Sequence, residues 1–223
     1  MWTSHIILLF FAFFIPFLIG TIPVGYLLGK IKKVDIRNHG SGGTGGTNVG
    51  RILGSFYGYL TYIIDGLKAY LAVTLVLNIF FLTATKEYSY DMSLELLQFI
   101  FGISVVLGNI FNPFLSFRSG KGIATSAGVI LGISWEVASI ALLAFFIFGF
   151  ATEIISVASI FSVIIAGITS TILYNFFHAV SIFTVYLCLS LLPVILFSHR
   201  ENIRRLIKRQ EPKFSFKKKN PSD

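Results

Sequence analysis

The sequence predicts an all-α polytopic membrane protein with seven transmembrane helices, and three observations predict it. The chain of 223 residues is 55% hydrophobic and only 13% charged, too apolar for a soluble globule of this length. Its mean hydropathy is +0.81, and its apolar residues gather into runs of about 20, the length a helix needs to cross hydrocarbon. Lys and Arg cluster at the ends of those runs, as the positive-inside rule requires. Topology therefore explains the net charge of +8 and removes nucleic acid as a partner. The 24 Phe residues suit lipid-facing surface, and the lone Cys188, inside an apolar run, leaves no disulfide within the chain.

The first span is expected over residues 6–29. No Lys or Arg precedes it, so it reads as a retained helix and not as a cleaved signal. Lys30, Lys32, Lys33 and Arg37 follow, which sets the N-terminus outside and the next loop in the cytoplasm. The second span, residues 54–82, carries Asp65 and Lys68 at i, i+3 spacing on one face. Intramembrane charges are functional candidates, but a mutually neutralising pair favours a structural role. Residues 84–95 are polar and net acidic, an outer loop, and the third span returns over residues 96–114.

Parity decides residues 123–150. One helix there would leave outside a C-terminal segment bearing Arg200, Arg204, Arg205, Lys208, Arg209, Lys213, Lys217, Lys218 and Lys219. Two helices, turning near residues 132–134, keep that segment in the cytoplasm and place Glu136 near the outer turn. A loop at residues 152–159 and spans at 156–173 and 180–197 complete the set, with His178 in an outer connection. The division is a transmembrane domain of residues 1–199 and a basic cytoplasmic tail of residues 200–223.

Residues 40–51 read Gly-Ser-Gly-Gly-Thr-Gly-Gly-Thr-Asn-Val-Gly-Arg. Glycine lets backbone approach a ligand, Ser41, Thr44, Thr47 and Asn48 add short polar groups, and Arg51 supplies a forked cation. The run reads as an anion cradle of backbone N–H groups; the competing reading is a flexible linker, which needs neither Asn48 nor Arg51. A dinucleotide fingerprint fails for want of a βαβ unit, and a P-loop fails because Leu115 and Gly122 stand where Gly and Ser or Thr belong. A second basic loop, residues 117–122, reaches the same face with Lys121, and Ser156 and Ser159 follow from a third. His199, Asn202 and, less closely, Arg205 share a helical face if the last span continues. No carboxylate or His/Cys set at ligand spacing occurs, so neither a metal nor another cofactor is expected. No His is followed five residues later by Asp, which excludes the common glycerolipid acyltransferase pattern.

These blocks, with Thr21-Ile-Pro-Val-Gly-Tyr26, Asp65-Gly-Leu-Lys68, Phe117-Arg-Ser-Gly-Lys-Gly-Ile-Ala-Thr125, Ser156-Val-Ala-Ser159 and Ser198-His-Arg-Glu-Asn-Ile203, closely resemble the bacterial acyl-phosphate:glycerol-3-phosphate acyltransferase family (PlsY) over nearly the full length. The resemblance implies a seven-helix enzyme of the bacterial inner membrane with a cytoplasmic site. It would transfer a fatty acyl group from acyl phosphate to the 1-hydroxyl of glycerol 3-phosphate, giving lysophosphatidic acid and phosphate, the first step of phospholipid synthesis. It also implies catalytic roles for Ser41, Arg51, Lys121, Ser156 and His199. Substrate contacts are expected from Gly42, Gly45, Thr47, Asn48, Ser119, Gly120, Gly122 and Asn202. The chain departs from the family pattern at Asn109, where His is usual, and at Gly43, Gly46 and Ser119. The residues alone leave two rivals: an organic-phosphate transporter using Asp65 and Lys68 at its midplane, and a lipid-binding scaffold held by its tail.

Overall fold

The computed structural model describes residues 2–88, 93–117 and 119–213, and their side chains except those of residues 2–5 and 84–88. Arg118, Lys217, Lys218, Lys219 and the middle of the expected outer loop at 84–95 lie outside the described residues. Every regular element among the described residues is helical. Besides two 3-10 turns at Ile36–Asn38 and Pro113–Leu115, the α-helices in order are α1 (Trp2–Gly20), α2 (Val24–Ile31), α3 (Gly46–Leu53), α4 (Ser55–Leu71), α5 (Leu77–Tyr88), α6 (Leu94–Ile110), α7 (Ile123–Ile133), α8 (Trp135–Thr152), α9 (Ile155–Phe177), α10 (Ile182–Ser198) and α11 (Arg200–Ile207). A π-turn at Ala72–Val76 joins α4 to α5, so the second span runs on as one rod through Thr83.

Five segments are long and apolar enough to cross a membrane: Ile6–Ile31, Ser55–Thr83, Leu94–Leu115, α8 and α9. The pair of α10 and α11, bent by 64°, makes a sixth if taken together. The two-helix expectation for residues 123–150 meets a real break, since Ser134 caps α8 by accepting from the Val137 N–H. Yet α7 has only 11 residues, a rise of about 17 Å against ~30 Å of hydrocarbon. By length alone the expected seven crossings become five or six.

The expected first helix is broken. Thr21–Pro23 interrupts it, because Pro23 has no N–H to continue the ladder, and three consecutive carbonyls lose their helical partners. Side chains from elsewhere take them up. Lys68 Nζ donates to Gly20 O at 3.1 Å and Ile22 O at 2.7 Å, and Asn112 Nδ2 donates to Thr21 O at 2.6 Å. Asp65 Oδ1 sits 2.6 Å from the same ammonium and neutralises it. In lipid each unsatisfied carbonyl costs several kcal/mol, so the intramembrane charge pair has a structural role and allows the first span to bend.

Helices approach closely where at least one of them lacks a side chain. A Cβ on Gly108 of α6 would stand 2.1 Å from Phe17 O of α1, and one on Gly128 of α7 would stand 2.0 Å from Gly66 O of α4. Packing of small residues substitutes for the hydrophobic effect, which does not drive helices together in lipid. Phe101, Leu97, Val105 and Val106 of α6, with Leu187 and Leu191 of α10, fill the centre.

The expected loop at residues 40–51 is half helix. From Gly46 onward it forms α3, which buries Gly46, Asn48 and Val49. The expected loop at residues 152–159 shrinks to Glu153 and Ile154, so Ser156 stands in the first turn of α9. Helix also extends to Tyr88 and Phe177, past the ends expected for the second span and for the span at 156–173.

Candidate active site

Asn48 builds the first wall. Its side chain, 3% exposed, accepts from the Ser41 N–H at 3.0 Å and donates to the carbonyls of Gly43 at 2.8 Å, His39 at 3.1 Å and Ile36 at 3.3 Å. One amide thus folds the glycine loop into a fixed cup, and the flexible-linker reading does not hold. Gly40 is required there, since φ is +59° and a Cβ would fall 2.2 Å from Asn48 Oδ1. The cup is tied to the second loop: the Thr44 N–H donates to Ser119 O at 3.4 Å, and the two hydroxyls lie 3.3 Å apart. Thr47 Oγ1 meets the Tyr62 hydroxyl of α4.

The second wall comes from the far end of the chain. Ser198 Oγ donates to Lys121 O at 3.0 Å, clamping the Lys121 loop to the end of α10. The Lys121 ammonium donates to Asn202 Oδ1. Asn202 Nδ2 in turn donates to Glu211 Oε1, which also accepts from Ser156 Oγ at 2.9 Å, while Arg205 Nε donates to Glu211 Oε2 at 2.7 Å. One carboxylate therefore holds three of the expected groups in register.

These walls enclose a pocket that is partly open to solvent. Every sequence-predicted site residue lines it except Gly42, which instead makes the turn at φ +71° with its N–H on His39 O. Asn48 lines it with its amide committed to the loop. Arg51 is exposed and has no hydrogen-bond or ion-pair partner among the described residues. Sequence reasoning missed Glu211, Tyr62 and Asp65 as lining groups, and used Asn109 only as a departure. The one signal that pointed to Glu211 was a carboxylate standing among cations. Asn202, Arg205 and Glu211 all fall within the segment expected to be a tail, yet they complete the pocket. Ile123, Ala124, Phe145 and Ile155 give it an apolar side.

Burial sets the protonation states. The Lys121 ammonium is pushed down to about 8, first by desolvation and then by Arg205 and Arg51, against the opposing pull of Glu211. His199, 2% exposed, is lowered to about 4 by desolvation and by the charge of Lys121. Its Nδ1 lies 2.9 Å from Ile195 O, an acceptor only, so Nδ1 carries the proton and Nε2 is a bare acceptor. Desolvation works to raise Glu211, but hydrogen bonds from Asn202, Arg205 and Ser156 outweigh it and hold the carboxylate below its usual range. Three cations, a neutral imidazole and loop N–H groups beside an apolar wall suit phosphate chemistry next to a hydrocarbon chain.

Comparison with known proteins agrees. Residues 10–209 match the family model described as glycerol-3-phosphate acyltransferase. The chain is 36% identical to glycerol-3-phosphate acyltransferase 3 of Bacillus anthracis over 211 residues, covering 94% of this chain and 97% of the relative. It is 35% identical to the glycerol-3-phosphate acyltransferase of Prochlorococcus marinus (strain MIT 9215), covering 91% and 95%. Among solved structures it resembles PlsY (YgiH), an integral membrane glycerol 3-phosphate acyltransferase, in its glycerol 3-phosphate form. There the TM-score is 0.74 at 33% identity, over 95% of this chain and 96% of that one. The lysophosphatidic acid form of the same protein matches with a TM-score of 0.72.

Proposed function

Because the chain belongs to the glycerol-3-phosphate acyltransferase family, we propose that it moves a fatty acyl group from acyl phosphate to the 1-hydroxyl of glycerol 3-phosphate. The products are lysophosphatidic acid and phosphate. The observation that carries this reading is the convergence of Lys121, Arg51 and Arg205 on one pocket with His199, Ser156 and Asn202. Two phosphates must meet there, and a pair of unit charges 4 Å apart repel by about 4 kcal/mol at an effective dielectric of ~20. The three cations and the loop N–H groups offset that repulsion and hold both reactants in line, which supplies much of the rate for an already activated mixed anhydride.

Proton transfer goes to a phosphate oxygen. His199 at about 4 is a weaker base than a phosphate monoester, whose second ionisation lies near ~6. His199 Nε2 therefore accepts a hydrogen bond from the acceptor substrate and orients it, with Asn202 and Lys121 beside it. An acyl-enzyme at Ser156 gains a partner that the sequence did not offer, since its hydroxyl faces Glu211. That carboxylate already accepts three hydrogen bonds and is held below its usual pKa range, which makes it a poor base. Ser41, Gly45, Thr47, Ser119, Gly120 and Gly122 line the cradle, and Asn48 shapes it. The acyl chain follows the apolar side past Phe145 and Ile155, favoured by about 0.8 kcal/mol per buried CH₂.

The enzyme sits in the bacterial inner membrane with this site on the cytoplasmic face and the N-terminus outside. Lys30, Lys32 and Lys33 lead into the glycine loop, and Arg204, Lys208 and Arg209 flank Arg205 and Glu211 along the chain, which supports that orientation. Lys121 before α7 and Ser156 after α8 line one pocket, so the α7–α8 hairpin leaves and returns to the same side. A seventh, short crossing at α7 fits that return. The transporter reading loses its midplane site, since Lys68 is committed to backbone carbonyls of the first span.

The test supplies purified protein with acyl phosphate, with and without glycerol 3-phosphate, and follows phosphate release and lipid product. Release that requires both substrates, forms lysophosphatidic acid and disappears in Lys121→Ala is the expected result. Release from acyl phosphate alone, with labelled protein trapped, would move the mechanism to Ser156 or Ser41. No product under any condition would end the reading.

A further inference from the structure

Three asparagines line the pocket, and the protein itself engages two of them. Asn48 spends its amide on the glycine loop, and Asn202 stands between Lys121 and Glu211. Asn109, in the last turn of α6, is 5% exposed, and its side chain has no hydrogen-bond partner among the described residues. Its amide lies against the Lys121 loop: a Cβ on Gly120 would come within 2.7 Å of Oδ1. Thr125 lines the same pocket, and its buried hydroxyl also lacks a partner among the described residues. Polar groups this deeply buried carry a desolvation cost that a bound ligand's hydrogen bonds offset.

The chemistry of a primary amide selects which part of the substrate it meets. Phosphate oxygens only accept, and the cations already answer them; the amide carbonyl would face a phosphate unfavourably. The hydrocarbon of an acyl chain offers neither donor nor acceptor, and its carbonyl only accepts. A hydroxyl both donates and accepts, as the amide does. Glycerol 3-phosphate has two hydroxyls, and the one at position 1 must stay free to attack. We infer that Asn109 binds the 2-hydroxyl of glycerol 3-phosphate, selecting the acceptor and turning its 1-hydroxyl toward the acyl group. This rests on the acyltransferase reading above and names the part of its acceptor that the pocket recognises.

The test compares two acceptors, glycerol 3-phosphate and 3-hydroxypropyl phosphate, which lacks the 2-hydroxyl, with acyl phosphate as donor. It uses the full chain in wild-type, Asn109→Leu and Asn109→Ala forms. In the wild type, loss of the hydroxyl lowers kcat/KM by about 10- to 100-fold, the range for an unanswered buried polar group. In either variant that melts within a few degrees of wild type, the two acceptors are used within about threefold of one another. KM for acyl phosphate stays unchanged, and 2-acyl product appears beside the 1-acyl isomer. Variants that keep the wild-type ratio between acceptors overturn the assignment, as does a wild type indifferent to the 2-hydroxyl. A wild type that acylates neither acceptor refutes the acyltransferase reading itself, a result told apart before any variant is made.

Discussion

Lys121 titrates where its work can be watched. Lowered to about 8, its ammonium is intact at neutral pH and is lost as pH rises through that value, so binding of anionic substrate weakens on the alkaline side. We expect kcat/KM to fall tenfold per unit above pH ~8, and Lys121→Arg to move that limb upward, because guanidinium stays charged. No matching limb arises from His199 near its usual 6.5, because it stays neutral down to about 4; a profile flat in His199→Gln relative to wild type between pH 5 and 7 checks this. Glu211→Ala should cost about 1–3 kcal/mol in stability, read as a fall in melting temperature, because Asn202, Ser156 and Arg205 lose the carboxylate that accepts from them. The sequence announced Lys121, His199 and Asn202 because their chemistry is local to their blocks. It did not announce Glu211, because Ser156 lies 55 residues away along the chain and Asn202 meets it only where the chain turns back after α11.

At the level of the element, composition and charge made the spans legible but not their breaks. Pro23 was visible, yet what makes a break tolerable is Lys68 and Asn112 arriving from α4 and the end of α6. Lys68→Met should lower stability by about 3–5 kcal/mol, leaving Asp65 buried without its counter-charge, whereas Lys68→Met with Asp65→Leu should recover part of it. Thermal melts of the two proteins in detergent decide the matter. Gly128→Leu should separate α4 from α7 and abolish stable folding, since even its Cβ meets Gly66 O; a soluble, monodisperse protein with wild-type melting would refute that packing. The helix α3 was hidden because glycines dominate its start. Its stability comes from contact with α4, where a Cβ on Gly58 would stand 2.8 Å from the Gly50 Cα.

For the whole molecule, all site-bearing ends gather at one end of the bundle: Arg51 before α4, Lys121 after α6, Ser156 after α8 and His199 after α10. Segments between these ends that cross the membrane must go out and come back in pairs, the alternation expected from charge parity. The length of α7 was not legible, because its residues continue the apolar character of α8 and only the Ser134 cap divides them. With Cys188→Ser as background, single cysteines at Lys33, Trp135 and Lys213 test the crossing. An impermeant thiol reagent should reach Lys33 and Lys213 positions only from the cytoplasmic side, and Trp135 only from outside. Labelling of Trp135 from the cytoplasm would make α7 and α8 a re-entrant hairpin.

The pairing of Asp65 with Lys68 also bears on how the chain enters the bilayer. When Ser55–Thr83 reaches the insertion machinery, the carbonyls that Lys68 will take up precede it in the chain, and the acid that neutralises it lies one turn away. Either charge alone at the centre of a helix costs about 2.5–3.5 kcal/mol on insertion. Single substitutions at this pair would therefore appear in a living cell first as missing protein, cleared by membrane proteases before any turnover is measured.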